Sequence, residues 1–260
     1  MRFSILTVAL AALFLASSCG RGEPTKEGFI SLTSVPGTRM SSGYAAFVPR
    51  RTGGACTKSV AGGCEVKECR WSLSDPHLPQ ESAGVISVKG VPLDAGFVLS
   101  YGSAGYEGPA EPVPPLWNGG ETLTASATGG AVPAFSGITV TAPSPITVTA
   151  PACDLTMQGS TVCSASRSAA LPLAWTGGAN TSVLATVISG NHEHAVILNC
   201  RFDSSPASIS AEAMAKLPAD ADQLSLQLHG SNQTTFVSGD YNITLEARNW
   251  DFVAFMKPTE

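Results

Sequence analysis

The chain has 260 residues and a formal net charge of −5 at pH 7, and only 13% of its residues are charged. Without a basic patch, this composition argues against nucleic acid as a partner. Cytosolic enzymes carry roughly 25% charged residues, whereas surfaces made polar by hydroxyls and amides are common in exported β-rich proteins.

Residues 1–18 have the composition of a secretory signal peptide. Arg2 gives a positive start, and the apolar run from Ile5 to Leu15 is followed by small residues at positions 16–18. The run is shorter than the roughly 20 apolar residues that a membrane-spanning helix needs. We therefore expect this segment to be removed on export.

The stretch from Leu15 to Cys19 resembles a bacterial lipobox, in which the cysteine receives a diacylglycerol before cleavage. It departs from the usual motif because Ala16, and not leucine, lies three places before Cys19. The alternative is that Cys19 becomes an ordinary thiol. With lipidation, two or three acyl chains would anchor the protein stably, since each buried methylene contributes about 0.8 kcal/mol. Residues 19–28 would then form a polar tether and residues 29–260 an all-β body.

The chain has seven cysteines, and the odd number suits one lipidated cysteine and three disulfides. The disulfide candidates are Cys56, Cys64, Cys69, Cys153, Cys163 and Cys200. Cys153 and Cys163 are expected to form a local bridge across a hairpin-like insertion. The simplest closure for the other four pairs two of the clustered cysteines with each other and sends the third to Cys200. The sequence does not choose among these pairings, and Cys200 could instead be a free, buried thiol.

From residue 29 onward, short runs of alternating apolar and polar residues are separated by Gly, Pro, Asn and Ser every ~8–12 residues, which is typical of all-β folds. We expect an antiparallel β-sandwich, immunoglobulin-like or related. The predicted strands are 29–35, 44–49, 64–71, 83–90, 96–102, 121–129, 171–177, 182–189, 194–202, 224–230, 234–239, 241–249 and 252–258. One short helix is predicted at 210–217, with Ser210 as its N-cap and Pro218 ending it.

The segment 108–120 is rich in proline and glycine. It predicts either a crossing between two sheets or a division between two packed sandwiches. We favour one continuous body, because the cysteines require a bridge between the two halves of the chain.

The hexapeptide ITVTAP occurs twice, at 138–143 and 146–151. In each copy the isoleucine and valine can face a core while the threonines face water. Two copies are too few for a repeat architecture, so we interpret the pair as a local duplication.

His192 and His194 are the strongest candidates for metal ligands, since residues two apart lie on one face of a strand. A third ligand is distant or merely adjacent, and the sequence favours a solvated hairpin tip. We therefore expect no metal and no cofactor.

No nucleophile elbow, zinc-protease helix, phosphate loop or dinucleotide fingerprint occurs in the sequence. Five scattered carboxylates nominate no catalytic pair: Glu107, Glu111, Glu121, Asp154 and Glu246. The sequence thus predicts no catalytic residues. A polysaccharide hydrolase is the alternative, because glycosidases place two carboxylates on distant strands without a local motif.

Two tryptophans are candidates for a platform that stacks on carbohydrate. Trp117 and Trp250 lie beside the polar stretches NGG and RN, which predicts that both are exposed. Trp175, in contrast, alternates like a core residue of a sandwich.

The order of landmarks from Tyr44 onward resembles a group of uncharacterised exported lipoproteins of myxobacteria. The landmarks include GGCEVKEC, AGVISVKG, WNGGETLTASATGGAVPAFSGITVTAP, LPLAWTGG and VILNCRF. The resemblance implies an all-β envelope lipoprotein and brings no activity or active-site residues. The stretch PACDLTMQGSTVC looks like an insertion in that pattern, which supports a local bridge between Cys153 and Cys163.

Together these features predict a lipid-anchored protein of the bacterial cell envelope, in the outer membrane, that acts without catalysis as a binding, adhesion or structural module. The expected partners are the membrane, through Cys19, and a surface glycan or another envelope protein. No nucleic acid partner is expected.

Overall fold

The computed structural model describes residues 26–35, 41–49, 56–70, 80–93, 96–103, 105–109, 115–155, 161–190, 194–219 and 223–259. The predicted signal peptide, Cys19 and the tether up to residue 25 lie outside these ranges. Lys26, Glu27 and Gly28, which were predicted to end the tether, already belong to the first strand.

The described residues form nineteen strands and one short helix. The first nine strands are β1 (Lys26–Ser34), β2 (Ser42–Pro49), β3 (Cys56–Ala61), β4 (Cys64–Arg70), β5 (Ile86–Lys89), β6 (Phe97–Gly102), β7 (Gly105–Glu107), β8 (Thr122–Ala127) and β9 (Phe135–Thr141). The next seven are β10 (Ile146–Ala150), β11 (Cys153–Leu155), β12 (Thr161–Ser166), β13 (Leu171–Gly177), β14 (Ser182–Gly190), β15 (His194–Phe202) and β16 (Ala207–Ile209). Helix α1 (Ala211–Met214) precedes β17 (Gln223–Ser238), β18 (Tyr241–Asn249) and β19 (Phe252–Thr259).

These strands enclose two hydrophobic cores, so the fold is a pair of sandwiches. The first core lies between the strands β2, β1, β18 and the second half of β17 on one side and the sheet β7-β6-β5-β8-β9 on the other. The second core lies between the row β11-β12-β19-β17-β14-β15-β4-β3 and the sheet β10-β13-β16, with α1 packed beside it. The predicted all-β, sandwich-like architecture is confirmed, although the pairs β1–β18 and β12–β19 are parallel.

Strand β17 runs through both sandwiches. Its two halves were predicted as separate strands because the polar stretch SNQ interrupts the apolar alternation. The strand continues because Ser231 remains paired on both sides, with Ser182 of β14 and Arg248 of β18. One 16-residue strand therefore links the two cores.

The chain passes between the two sandwiches several times. Strands β1 and β2 contribute to the first core, β3 and β4 to the second, β5–β9 to the first and β10–β16 to the second. After β17, strand β18 returns to the first core and β19 to the second. Among the described residues, neither core is built from one continuous segment.

Residues 115–120 of the proline- and glycine-rich segment lie within the first sandwich. Leu116 and Trp117 pack in its core, and the strands that flank the segment, β7 and β8, belong to one sheet. The chain enters the second sandwich further on, between β9 and β10.

Three disulfides connect neighbouring strands at the two ends of the large sheet. Cys56–Cys69 joins β3 to β4, Cys64–Cys200 joins β4 to β15, and Cys153–Cys163 joins β11 to β12. The predicted local bridge is confirmed, and the clustered cysteines pair as the simplest closure required. Cys200 is therefore buried but not free.

Two short predictions are also confirmed. Ser210 caps α1 by accepting a hydrogen bond from the backbone N–H of Ala213 at 3.2 Å, although the α-helix itself ends at Met214. The two ITVTAP copies alternate as expected, with their valines and isoleucines inward of the threonines. One copy lies in the first sandwich as β9 and the other in the second as β10. Within the described ranges, no helix is long and apolar enough to cross a membrane.

Candidate binding site

The junction of the two sandwiches is the point where β17 changes its neighbours. On one side, its pairing with β19 includes Leu228 opposite Phe252, and its pairing with β18 begins at Ser231 opposite Arg248. On the other side, β14 ends its pairing at Ser182. Gly230 lies between the residues of β17 that pair with β19 and those that pair with β18. Its backbone N–H therefore has no acceptor on either of these two strands.

Asp251 fills that gap with a side chain. Its Oδ2 accepts the backbone N–H of Gly230 at 2.8 Å, and its Oδ1 accepts that of Ile146, on β10 of the facing sheet, at 3.4 Å. Burial raises the pKa of the Asp251 carboxyl to about 6, against the two N–H groups, which lower it. The side chain thus joins β17 to the opposite layer of the second sandwich.

A cleft of about 590 Å³ opens at the junction, beside the end of β14. Its described lining is made of hydroxyl and amide side chains, one valine and one guanidinium: Thr139, Val140, Thr141, Asn180, Ser182, Arg201, Ser231, Asn232, Gln233 and Thr234. The walls come from β9 of the first sandwich, from β14 and β15 of the second, and from the shared β17. The cleft therefore exists only because the two sandwiches meet.

Asn232 holds these walls together. Its Nδ2 donates to the backbone carbonyls of Thr141 at 3.0 Å and Asn180 at 3.2 Å, and its Oδ1 accepts the N–H of Ser182 at 3.4 Å. One amide on β17 thus contacts β9, β14 and the loop before β14. Such a side chain fixes the width of the cleft at this point.

The positive charge of Arg201 in the cleft is balanced by the buried carboxylate of Glu246. Arg201 donates through Nη2 to Gln233 Oε1 at 2.7 Å, and the same nitrogen lies 3.6 Å from Glu246 Oε1. Glu246 is only 4% exposed and accepts a hydrogen bond from Ser231 Oγ at 2.7 Å. Because the carboxylate offsets the guanidinium, the lining offers many hydrogen bonds and little net charge.

Trp250 lies on the same face of the sheet, on the other side of β17. Its side chain is 43% exposed, and its ring centroid is 5.6 Å from that of His229 on β17. His229 is 1% exposed, and this burial, with the nearby positive charge of Arg248, lowers its pKa to about 4. The neutral imidazole therefore supports the exposed indole at neutral pH.

Trp117 does not share this exposure. It is 3% exposed, and its Nε1 donates to Asn249 Oδ1 at 2.8 Å in the first core. The predicted platform of two exposed tryptophans is therefore not formed, because the NGG stretch follows a residue that is pinned in the core. Trp250 alone retains the expected character, and Trp175 is buried as predicted.

Among the other sequence candidates, Glu246 lies at the junction, behind Arg201. His194 Nε2 lies 3.1 Å from Glu68 Oε1 on the neighbouring strand, while His192 lies outside the described residues. No group of three or more potential metal ligands occurs in the part of the chain that the structure describes. Of the five scattered carboxylates, Glu121 accepts the N–H groups of Asn118 and Gly119 in a loop, and no carboxylate is part of the described cleft lining.

Sequence reasoning did not find Arg201, Ser231 or Asn232. The available signal was the polar interruption SNQ, which we interpreted as a break between two strands. Polar residues that interrupt the alternation of a long strand can instead mark the place where its neighbours change. The sequence identified Glu246 only as one of five scattered carboxylates that suggest no catalytic pair.

Comparisons of the chain with family models, with curated proteins and with solved structures find no match.

Proposed function

We propose that this protein is a lipid-anchored module of the bacterial cell envelope whose all-β body binds a ligand without catalysis in the junction cleft. The observation that carries the proposal is the cleft itself. It is lined by hydroxyls, amides and one charge-balanced guanidinium, and it lies at a fixed meeting point of two cores. Ligand sites are usually clefts in which placed polar groups orient the ligand, and here nearly the whole described lining is polar.

The cysteine pairing supports the anchor. The six cysteines among the described residues are joined in three disulfides, which leaves Cys19 as the remaining one. Its position after an apolar run and small residues suits lipidation. The resemblance to exported lipoproteins of myxobacteria adds to this proposal.

Side-chain contacts of Lys26 attach the first strand to the body close to the end of the proposed tether. Lys26 Nζ lies 2.9 Å and 3.0 Å from the two carboxylate oxygens of Glu81 and 5.1 Å from the centre of the Tyr241 ring. The Tyr241 hydroxyl donates to the same carboxylate, and hydrogen bonds from Tyr241 and Lys26 lower the pKa of Glu81. A short tether would therefore hold a rigid body close to the membrane surface.

Intact mass spectrometry tests the anchor on protein extracted from native membranes without reductant. We expect a chain that begins at Cys19, carries two or three acyl chains and contains no thiol that alkylates. The Cys19→Ser variant should carry no acyl chain while keeping all three disulfides. A wild-type protein whose Cys19 carries no acyl chain would overturn the lipid anchor.

A matched pair of variants tests the cleft. The body without the lipid is sedimented with washed envelope fragments, which serve as the probe. Thr139→Arg fills the cleft, whereas Thr235→Arg places the same group at an exposed threonine of β17 outside the lining. We expect only Thr139→Arg to abolish co-sedimentation. Equal sedimentation of both variants and the wild-type protein would show that the cleft is not the binding site.

The hydrolase alternative gains no support from the junction. Glycosidases need two carboxyl groups roughly 5–10 Å apart across the bond that they cleave. The described lining contains none, and the neighbouring Glu246 is engaged by Arg201 and Ser231.

A further inference from the structure

The exposed Trp250 lies on the same face of the sheet as Arg201 and Ser231, which form one side of the cleft. His229, which contacts Trp250, is directly opposite Leu184 on β14, and Leu184 is directly opposite Arg201 on β15. Since neighbouring strands are about 4.8 Å apart, Arg201 lies roughly 10 Å from His229 across the sheet. The half-buried Leu184 forms an apolar floor between them.

The backbone on both sides of Trp250 is fixed. Asn249 donates to the Pro143 carbonyl at 2.9 Å, Asp251 accepts from Gly230, and the Trp250 N–H itself donates to the Ser34 carbonyl at 3.0 Å. These bonds fix the backbone that carries the indole, and the indole ring itself contacts the buried His229. A pre-positioned aromatic surface loses little conformational freedom on binding.

The strip that runs from Trp250 across Leu184 to Arg201 and the cleft has side chains that favour one class of ligand. The face of an indole ring carries partial negative charge, so it attracts the C–H groups on one face of a polar ligand that stacks on it. Hydroxyl and amide side chains exchange hydrogen bonds with hydroxyl groups, both as donors and as acceptors. Because Glu246 balances Arg201, the strip does not favour a strongly anionic ligand.

On the basis of the binding function proposed above, we propose that the ligand is a neutral oligosaccharide, with one sugar ring stacked on Trp250 and the following units hydrogen-bonded in the junction cleft. The distance across the strip fits a short segment of a chain rather than a single sugar. This assignment replaces the predicted pair of tryptophans by one tryptophan and a polar cleft.

The test is a titration of the body with a panel of neutral oligosaccharides, built from glucose, mannose, galactose or N-acetylglucosamine, followed by saturation-transfer NMR and calorimetry. We expect at least one member to bind, Trp250→Ala to weaken it at least tenfold, and Trp250→Phe to weaken it less. Tyr101→Ala is the control, because Tyr101 is 41% exposed on the other sheet of the first sandwich, and its loss should leave binding unchanged. Disulfide content and the thermal midpoint of each variant confirm that it is folded.

Two results would overturn the inference: no binding by any member of the panel at millimolar concentration, or equal affinities for folded Trp250→Ala and wild-type protein. Neither result would affect the lipid anchor or the Thr139→Arg comparison, so the proposed function would stand. Mass spectrometry of the recovered sugars completes the test. Intact chains support both proposals, whereas shortened chains would support the sugar ligand and overturn its non-catalytic binding.

Discussion

The side chain of Asp251 accepts a hydrogen bond that the backbone of a neighbouring strand would otherwise accept. Where β19 gives way to β18, the N–H of Gly230 needs an acceptor, and the carboxylate supplies it while also holding Ile146. A glycine suits this position, because a Cβ would be crowded at 3.1 Å from the Ser144 carbonyl oxygen and 3.0 Å from Thr181 Cγ2. Two residues thus solve the local problem created by one strand serving two sandwiches.

Removal of this carboxylate should be costly. We expect Asp251→Ala to lower the free energy of unfolding by roughly 2–3 kcal/mol, because it leaves two backbone N–H groups near the core without an acceptor. Urea denaturation measures the change. Asp203→Ala is the matched control: Asp203 accepts from Ser182 Oγ at 2.7 Å at the surface, and its loss should cost less than about 1 kcal/mol. Equal losses in the two variants would contradict the role of Asp251.

His229 and Asp251 should affect stability in opposite directions as the pH falls. The pKa of His229 is lowered from 6.5 to about 4, so only the unfolded state binds its proton between these values, and stability is lost on acidification. The pKa of Asp251 is raised from 3.8 to about 6, so its contribution is present at low pH and is lost as pH rises through about 6. The two effects partly cancel.

Variants separate the two contributions. Between about pH 7 and pH 4.5, we expect Asp251→Asn to lose more stability than the wild-type protein, because the opposing carboxyl is gone. His229→Gln should lose less, by at most roughly 3 kcal/mol. The measurement is the free energy of unfolding at both pH values, compared as a difference within each variant. Parallel pH profiles for all three proteins would contradict the assignment.

At the scale of elements, the three disulfides secure the strands at the ends of the large sheet. In the row of eight strands, β3 is the last strand on one side and β11 the last on the other, and a disulfide joins each of them to its neighbour, β4 or β12. Terminal strands have a neighbour on one side only and separate most easily. The two-residue turn between β3 and β4 also holds the terminal strand β3 against β4. Gly62 and Gly63 both have positive φ, as a tight hairpin turn requires.

The disulfides should differ in how much they stabilise the fold. Cys64–Cys200 closes a sequence separation of 136 residues, and Cys153–Cys163 one of only 10. In the chain-entropy picture, we expect the double variant Cys64→Ala, Cys200→Ala to lose roughly 2 kcal/mol more than Cys153→Ala, Cys163→Ala. Chemical denaturation of both double variants checks this difference. A larger loss in the short-loop variant would show that local strand pairing, and not loop closure, dominates.

At the scale of the whole molecule, the interleaved path of the chain makes the two cores depend on each other. Strand β17 contributes Leu224, Leu226 and Leu228 to the second core, and Phe236 packs against the first. Neither core can lose this strand without disturbing the other. The junction cleft inherits its rigidity from that dependence.

Unfolding should therefore be a single transition. Trp117 reports on the first core and Trp175 on the second, so two variants that each keep only one of these tryptophans, with the others changed to Phe, give separate signals. We expect coincident urea midpoints. Two resolved midpoints would mean that the sandwiches unfold independently, and would remove the basis for a rigid junction.

The sequence by itself determined the all-β class, most strands, the capped helix and which cysteines were available to pair, because alternation, capping and cysteine spacing are local properties. It could not determine which strands share a sheet. The two ITVTAP copies show the reason: identical hexapeptides lie in different sandwiches, since pairing depends on distant partners.

The same physical reason separates the predicted site from the observed one. Exposure of Trp250 was predicted correctly, whereas Trp117 is buried by contacts with Asn249, which lies 132 residues away. The cleft is formed by β9, β14, β15 and β17, whose order along the chain does not indicate that they meet. Only the tertiary structure brought Arg201, Asn232 and Glu246 together, because their positions follow from a change of strand neighbours that leaves no periodic pattern in the sequence.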